Sequence, residues 1–168
     1  MSLKQIEANT LTFNPFEKLS KQWALVSAGS LDKFNMMTVS WGAVGVIWGK
    51  PSATVYIRHS RYTKEFVDAG DTFVLTFLKD GHRDALNTLG SKSGRDMDKM
   101  RASGLTPAAV PGGVTFDEAE LVLVCRKCFA QLLPPDNFTD PSILDRCYAD
   151  KDYHTMYIGE IVAAYAAE

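Results

Sequence analysis

The sequence predicts a mainly β chain with short helices, folded as an antiparallel barrel, on three observations. Six or seven short strand-like runs occur along the chain, most of them closed by Gly, Pro or Asp-containing turns. Helical stretches fall between them without the regular alternation that a parallel βαβ sheet needs. No GxGxxG follows any of the runs and no GxxxxGK[ST] occurs, so neither a Rossmann site nor a P-loop organises the chain.

Taken in order, Trp23 to Ala28 is an apolar run stopped by Gly29, Ser30 and Asp32, and reads as the first strand. Asn35 to Trp41 is the second. Val44 to Trp48 continues or pairs with it, and Lys50-Pro51-Ser52 is expected to break the run before a strand from Ala53 to Arg58. Ser60 reads as the N-cap of a helix reaching Ala69 and closed by Gly70, with Tyr62 and Phe66 on one face at i, i+4 spacing. Thr72 to Phe77 alternates at period two. A helix is expected over Asp80 to Leu89, closed by Gly90 and turning Ala85, Leu86 and Leu89 inward. Another is expected from Ser93, with Asp96 at the capping-box position, to Gly104. Pro107 to Gly113 reads as loop, Ala119 to Leu133 as a long strand stopped by Pro134-Pro135, and Asn137 to Cys147 as irregular or briefly helical. His154 to Ala166 closes the chain as a period-two strand.

With 168 residues, 46% hydrophobic and 23% charged, the chain suits one domain over residues 1–168 that buries roughly 70% of its unfolded surface. No apolar run approaches a membrane span and the N-terminus lacks the apolar core of a secretory signal, so a cytoplasmic setting is the expectation. A net charge of −2 gives no electrostatic case for nucleic acid or an anionic membrane. The local pattern differs: from Lys50 to Lys64 the chain carries Lys50, Arg58, Arg61 and Lys64 and no acid, a confined positive patch suited to a small anion. Three cysteines argue against a disulfide framework. Cys125 and Cys128 sit in a strand-like run rather than at a helix start, so both read as structural, and no metal site is expected.

Two segments carry the candidate chemistry. Arg58, Ser60, Arg61 and Thr63 supply two guanidiniums and two hydroxyls within six residues, a donor set for a phosphate dianion beside a helix start. The alternative is that Ser60 only caps the helix while the arginines sit in solvent or pair with Asp68 and Asp71. Thr38, Ser40 and nearby amides could meet the polar edge of a flat heteroaromatic ring, and Trp41, Trp48 and Met36 could cover its face or simply serve as core. Ser91 to Asp96 is either a second anion-seeking loop or a helix cap on a surface loop. His154 is the one histidine in an expected strand. No Ser/His/Asp triad and no paired carboxylates emerge, which leaves binding groups such as a cofactor enzyme would need.

Asn35-Met36-Met37-Thr38-Val39-Ser40-Trp41-Gly42, Lys50-Pro51, Arg58-His59-Ser60-Arg61-Tyr62-Thr63, Ser93-Gly94-Arg95-Asp96 with Asp98-Lys99, and Asp152 to Ile161 together resemble the flavin reductase-like family, in particular its flavoredoxin-like branch. The resemblance spans Trp23 to Val162. It implies an FMN-binding split β-barrel of antiparallel, Greek-key type, assembled as a homodimer with one FMN per subunit. It implies ring contacts from Thr38, Val39, Ser40 and Trp41, phosphate contacts from Arg58, Ser60, Arg61 and Thr63, further cofactor-binding residues at Asn35, Met36 and Tyr62, and a nearby loop at Ser93 and Gly94. By the same analogy His154 is a catalytic residue at the edge where a nicotinamide nucleotide, NADH or NADPH, would dock as a transient electron donor. The implied activity is NAD(P)H-dependent flavin reduction, or else FMN-bound electron transfer to an acceptor protein without a nicotinamide site. Lys151-Asp152-Tyr153-His154 stands where many of the family's two-component reductases have Gly-Asp-His, which favours tightly bound flavin over free-flavin reduction.

Overall fold

Tight turns set the strand pairing. In the computed structural model, which describes residues 3–168, β1 (Leu3–Ile6) and a short helix α1 (Pro15–Glu17) precede the hairpin of β2 (Ala24–Ser30) and β3 (Lys33–Val39). A second hairpin joins β4 (Gly42–Ile47) to β5 (Lys50–Arg58) through Trp48-Gly49, both at positive φ. That is the primed two-residue turn whose twist matches the flanking strands, and Trp48 adopts a conformation few non-glycine residues take. Lys50-Pro51-Ser52 therefore opens β5 instead of breaking it. Ile47 and Lys50 close the turn as a hydrogen-bonded pair, so Pro51, opposite Val46, turns its donorless nitrogen away from β4; pairing on that other side begins only at Ser52.

The chain then runs through α2 (Tyr62–Ala69) to β6 (Thr72–Leu78), α3 (Arg83–Ser91) and α4 (Lys99–Ser103). Three expectations shift here. Arg61, not Ser60, occupies the N-cap of α2, and no side chain caps it. Gly90 lies inside α3, where its bare Cα packs against Thr38. The helix expected from Ser93 starts at Lys99, because the Asp98 carboxylate accepts from the Met100 and Arg101 amides; Gly104 ends it in the left-handed conformation, as expected. The expected loop over 107–113 is a hairpin, β7 (Pro107–Val110) and β8 (Gly113–Phe116), turned at Pro111-Gly112. β9 (Ala119–Leu132), α5 (Pro141–Cys147) and β10 (His154–Ala167) complete the chain.

Every strand pair is antiparallel, in the order β3-β2-β6-β9-β10-β5-β4, with β1 continuing along β10 beyond the end of β5. β6 skips back beside β2 and β10 inserts between β9 and β5, so the connections are not a simple meander. Ala24, Val26 and Ala28 of β2, Met37 and Val39 of β3, and Val55 and Ile57 of β5 meet Phe73, Phe77, Leu123 and Tyr157 in one buried cluster. Strands at opposite ends of the hydrogen-bonded path thus share a core, which requires the sheet to curl round it. β6 is buried on both faces, since Leu78 joins a second cluster under α3 with Leu25, Met36, Leu86 and Leu89. Cys125 belongs to the main core and its burial pushes the thiol pKa up, whereas Cys128 is exposed and is not a core residue. Among the described residues no cluster of His, Cys, Asp and Glu could hold a metal, and no helix is long and apolar enough to cross a membrane.

Candidate functional site

Two adjoining cavities open where β3 ends and α2 begins. The first, of about 250 Å³, is lined by Met37, Thr38, Val39, Ser40, Trp41, Tyr56, Arg58, Arg61 and His154. β3 ends at Val39, so Ser40 and Trp41 lie in the bend before β4, and Trp41 is half-exposed with its ring 5.2 Å from the His154 imidazole. His154 faces Arg58 across the β10–β5 ladder. Burial, and then the Arg58 guanidinium, push its pKa down to about 4, so the imidazole is neutral at pH 7.

The second cavity, of about 190 Å³, is lined by Ser60, Arg61, Tyr62, Thr63, Ser91, Lys92, Ser93 and Lys99. Arg61 forms a wall of both. Its guanidinium donates to the carbonyls of Gly90 (2.6 Å) and Leu89 (3.3 Å), and the buried Lys99 amine donates to those of Met36 (2.7 Å) and Leu89 (3.2 Å). The last turn of α3 has carbonyls without helical partners and the negative end of the helix dipole, and it holds both cations in place. Burial and the neighbouring Arg61 push the Lys99 pKa down to about 8. The result is a fixed cationic corner rimmed by hydroxyls, the chemistry of an anion site.

The expected site residues divide between these cavities. Ser60, Arg61, Tyr62 and Thr63 line the cationic one as anticipated, but Arg58 does not. Its guanidinium is anchored by the carbonyls of Cys147 (2.8 Å) and Asp152 (3.2 Å) and by the Asp150 carboxylate (3.2 Å), so it fastens the segment before β10 beside His154. Neither arginine pairs with Asp68 or Asp71, the alternative the sequence left open. Asp152 also accepts from the Ser60 amide and hydroxyl. Asn35 lies behind the cationic cavity, where its Nδ2 donates to the Thr63 hydroxyl at 2.9 Å. Ser93 lines the cavity, and Gly94 packs so close to Asn35 that a Cβ would fall 2.5 Å from Oδ1. Arg95 turns away, paired with Glu65 and stacked on Tyr62.

Within the first motif, Met36, Met37 and Val39 are all buried core residues, and Met37 and Val39 also border the larger cavity whereas Met36 does not. The Thr38 hydroxyl donates to the Leu86 carbonyl at 2.6 Å and is left only acceptor capacity, so Ser40 and the backbone carry the polar edge. Trp48 is in the β4–β5 turn and lines neither cavity. Lys99, Asp152 and Tyr148 are the residues that sequence reasoning passed over. Lys99 appeared only as part of a motif, and nothing in its spacing marks it as a buried cation. Tyr148 had no signal at all.

A curled antiparallel sheet with a cationic pocket opening beside a cleft walled by Trp41 and His154 is an arrangement that a flat, phosphate-bearing molecule would fit. The flavin reductase like domain model matches residues 16–168, and the chain belongs to that family. A comparison with curated proteins returned no match. Among solved structures, flavoredoxin from Methanosarcina acetivorans is 23% identical, with a TM-score of 0.66 over 88% of this chain and 69% of that one. An FMN-binding domain of a flavin reductases-like enzyme from Shewanella baltica OS155 is 21% identical, with a TM-score of 0.68 over 98% and 77%. The styrene monooxygenase flavin reductase of Pseudomonas putida S12 is 17% identical, with a TM-score of 0.65 over 88% and 80%. These likenesses agree with the split-barrel fold expected from the sequence.

Proposed function

We propose that this chain is an FMN-binding oxidoreductase that receives hydride from NADH or NADPH, working as a cytoplasmic homodimer. The observation that carries the proposal is the shared Arg61 wall, which sets the cationic cavity beside the cleft of Trp41 and His154. The residues fit FMN: Arg61, Lys99 and the hydroxyls of Thr63 and Ser93 would hold its phosphate, and Ser40 with the 38–41 backbone would meet the edge of its ring. Bound FMN would supply the two-electron redox chemistry. Trp41 would exclude water from one side of the ligand, and the neutral His154 would offer a hydrogen bond at the cleft edge without adding charge. A homodimer is supported by the apolar side chains of Val46, Trp48, Phe129, Leu132 and Val162, exposed on the half of the sheet built by β4, β9 and β10.

A second reading, an FMN-bound electron carrier without a nicotinamide site, draws support from the structural likeness to a protein described as flavoredoxin. Anaerobic stopped-flow mixing of the FMN-loaded protein with each nicotinamide separates the two. Rapid loss of flavin absorbance with NADH or NADPH supports the enzyme. Reduction only by a protein donor supports the carrier. A protein that neither carries nor takes up FMN refutes both.

A further inference from the structure

Nδ1 of His154 lies 2.7 Å from the phenolic oxygen of Tyr148, and both side chains are buried. Tyr148 follows α5 and packs edge-on to the imidazole at 5.5 Å, between Phe138, Tyr153 and the Arg58 guanidinium, which lies 5.4 Å from its ring centre. No other polar partner competes for its hydroxyl among the described residues. His154 in turn makes no hydrogen bond through Nε2, while among the described residues every fully buried side-chain nitrogen or oxygen has a partner. Nε2 is therefore the accessible nitrogen, on an imidazole that lines the larger cavity.

A phenol is a far better proton donor than a neutral imidazole N–H, and a short contact of this length suits O–H to nitrogen. The hydroxyl donating to Nδ1 leaves the ring proton on Nε2. We infer that Tyr148 is a positioning residue: it locks His154 in the neutral Nε2–H tautomer, so that the cleft edge presents a hydrogen-bond donor to a carbonyl acceptor, such as a carboxamide, on the incoming molecule. Arg58 reinforces this in two ways. It anchors the segment carrying Tyr148 through the Cys147 and Asp152 carbonyls, and its positive charge opposes protonation of the ring, against the weaker opposite pull of Asp150 and Asp152. With Arg58 and Arg61 on the same cavity, that wall offers donors, a match for acceptor-rich ligands and a poor surface for a proton-abstracting base. The identity of the acceptor rests on the flavin-enzyme reading above; the tautomer does not.

The test is 15N NMR of the imidazole in flavin-free protein. Expected are a protonated-type shift at Nε2, an unprotonated-type shift at Nδ1, and protonation of the ring only near pH 4. Tyr148→Phe should relax the ring towards a tautomer mixture. In FMN-loaded protein the same variant should raise the nicotinamide KM about tenfold, the loss of one oriented hydrogen bond. A proton on Nδ1 in the wild type, or a tautomer unchanged by Tyr148→Phe, overturns the inference. The wild-type spectrum needs no substitution, so a variant that fails to fold leaves the test standing. Failure to bind FMN would refute the functional reading alone.

Discussion

The Asn35 amide donates to the Thr63 hydroxyl across 2.9 Å, and this single bond ties the bend-forming motif on β3 to the cationic motif on α2. Both groups are buried, so neither can exchange its partner for water. Gly94 leans on the same amide, which makes the loop after α3 the third member of the junction.

Gly94→Ala should therefore push Asn35 off Thr63. The expected loss is about 1–3 kcal/mol of stability, in the range for overpacking a tight site. FMN affinity should fall with it, since Thr63 would lose its orientation. Thermal or urea unfolding measures the first effect and flavin fluorescence titration the second. In an Asn35→Ala background the same glycine substitution should cost much less, because the atom it strikes is gone.

Arg61→Ala removes the cation shared by the two cavities. FMN binding should weaken by roughly 10- to 100-fold, equivalent to about 1.5–3 kcal/mol for hydrogen bonds to a charged group. Arg61→Lys should not restore it, since one ammonium cannot reach both the last carbonyls of α3 and the ligand. An affinity unchanged in isothermal titration would remove Arg61 from the site.

Arg58→Ala should lower stability by about 2 kcal/mol by freeing the Cys147 and Asp152 carbonyls. It should also raise the His154 pKa, because the guanidinium is one of the two influences that depress it. NMR titration of the imidazole reads that shift independently of any change in stability.

Lys99 makes a pH signature. Its pKa lies near 8 in the folded protein and 10.5 when exposed, so between these values the unfolded chain binds the additional proton and stability rises with pH. Relative to Lys99→Met, the wild type should gain stability from about pH 8 to 10.5, by at most about 1.4 kcal/mol per pH unit. Urea unfolding of both proteins at pH 7.5 and 10 measures the difference. FMN affinity of the wild type should decline over the same range as the amine loses its charge.

Most strands were legible in the sequence because their apolar runs are long and end in strong breakers: β6 and β9 fall within a residue of expectation. The errors fall where a tertiary contact overrides a local signal. Pro51 looked like a breaker, yet a proline is tolerated where its nitrogen faces the unpaired side of a strand. Pro107 to Gly113 looked like loop because the short β7–β8 hairpin has a weak alternation of its own. Ser60 looked like a cap, but a more favourable partner, Asp152 from 92 residues away, takes its hydroxyl and amide.

By itself the sequence determined the antiparallel class, the core strands, the cationic run from Arg58 to Thr63 and the family resemblance, all of which depend on local pattern. Only the tertiary structure decided which of those cations line the cavity between α2 and α3. The α3 carbonyls direct Arg61 and Lys99 into one corner, while the Cys147 and Asp152 carbonyls draw Arg58 out of it. Carbonyl partners contributed by the backbone leave no trace in residue identity, so a sequence lists the charges and the fold aims them.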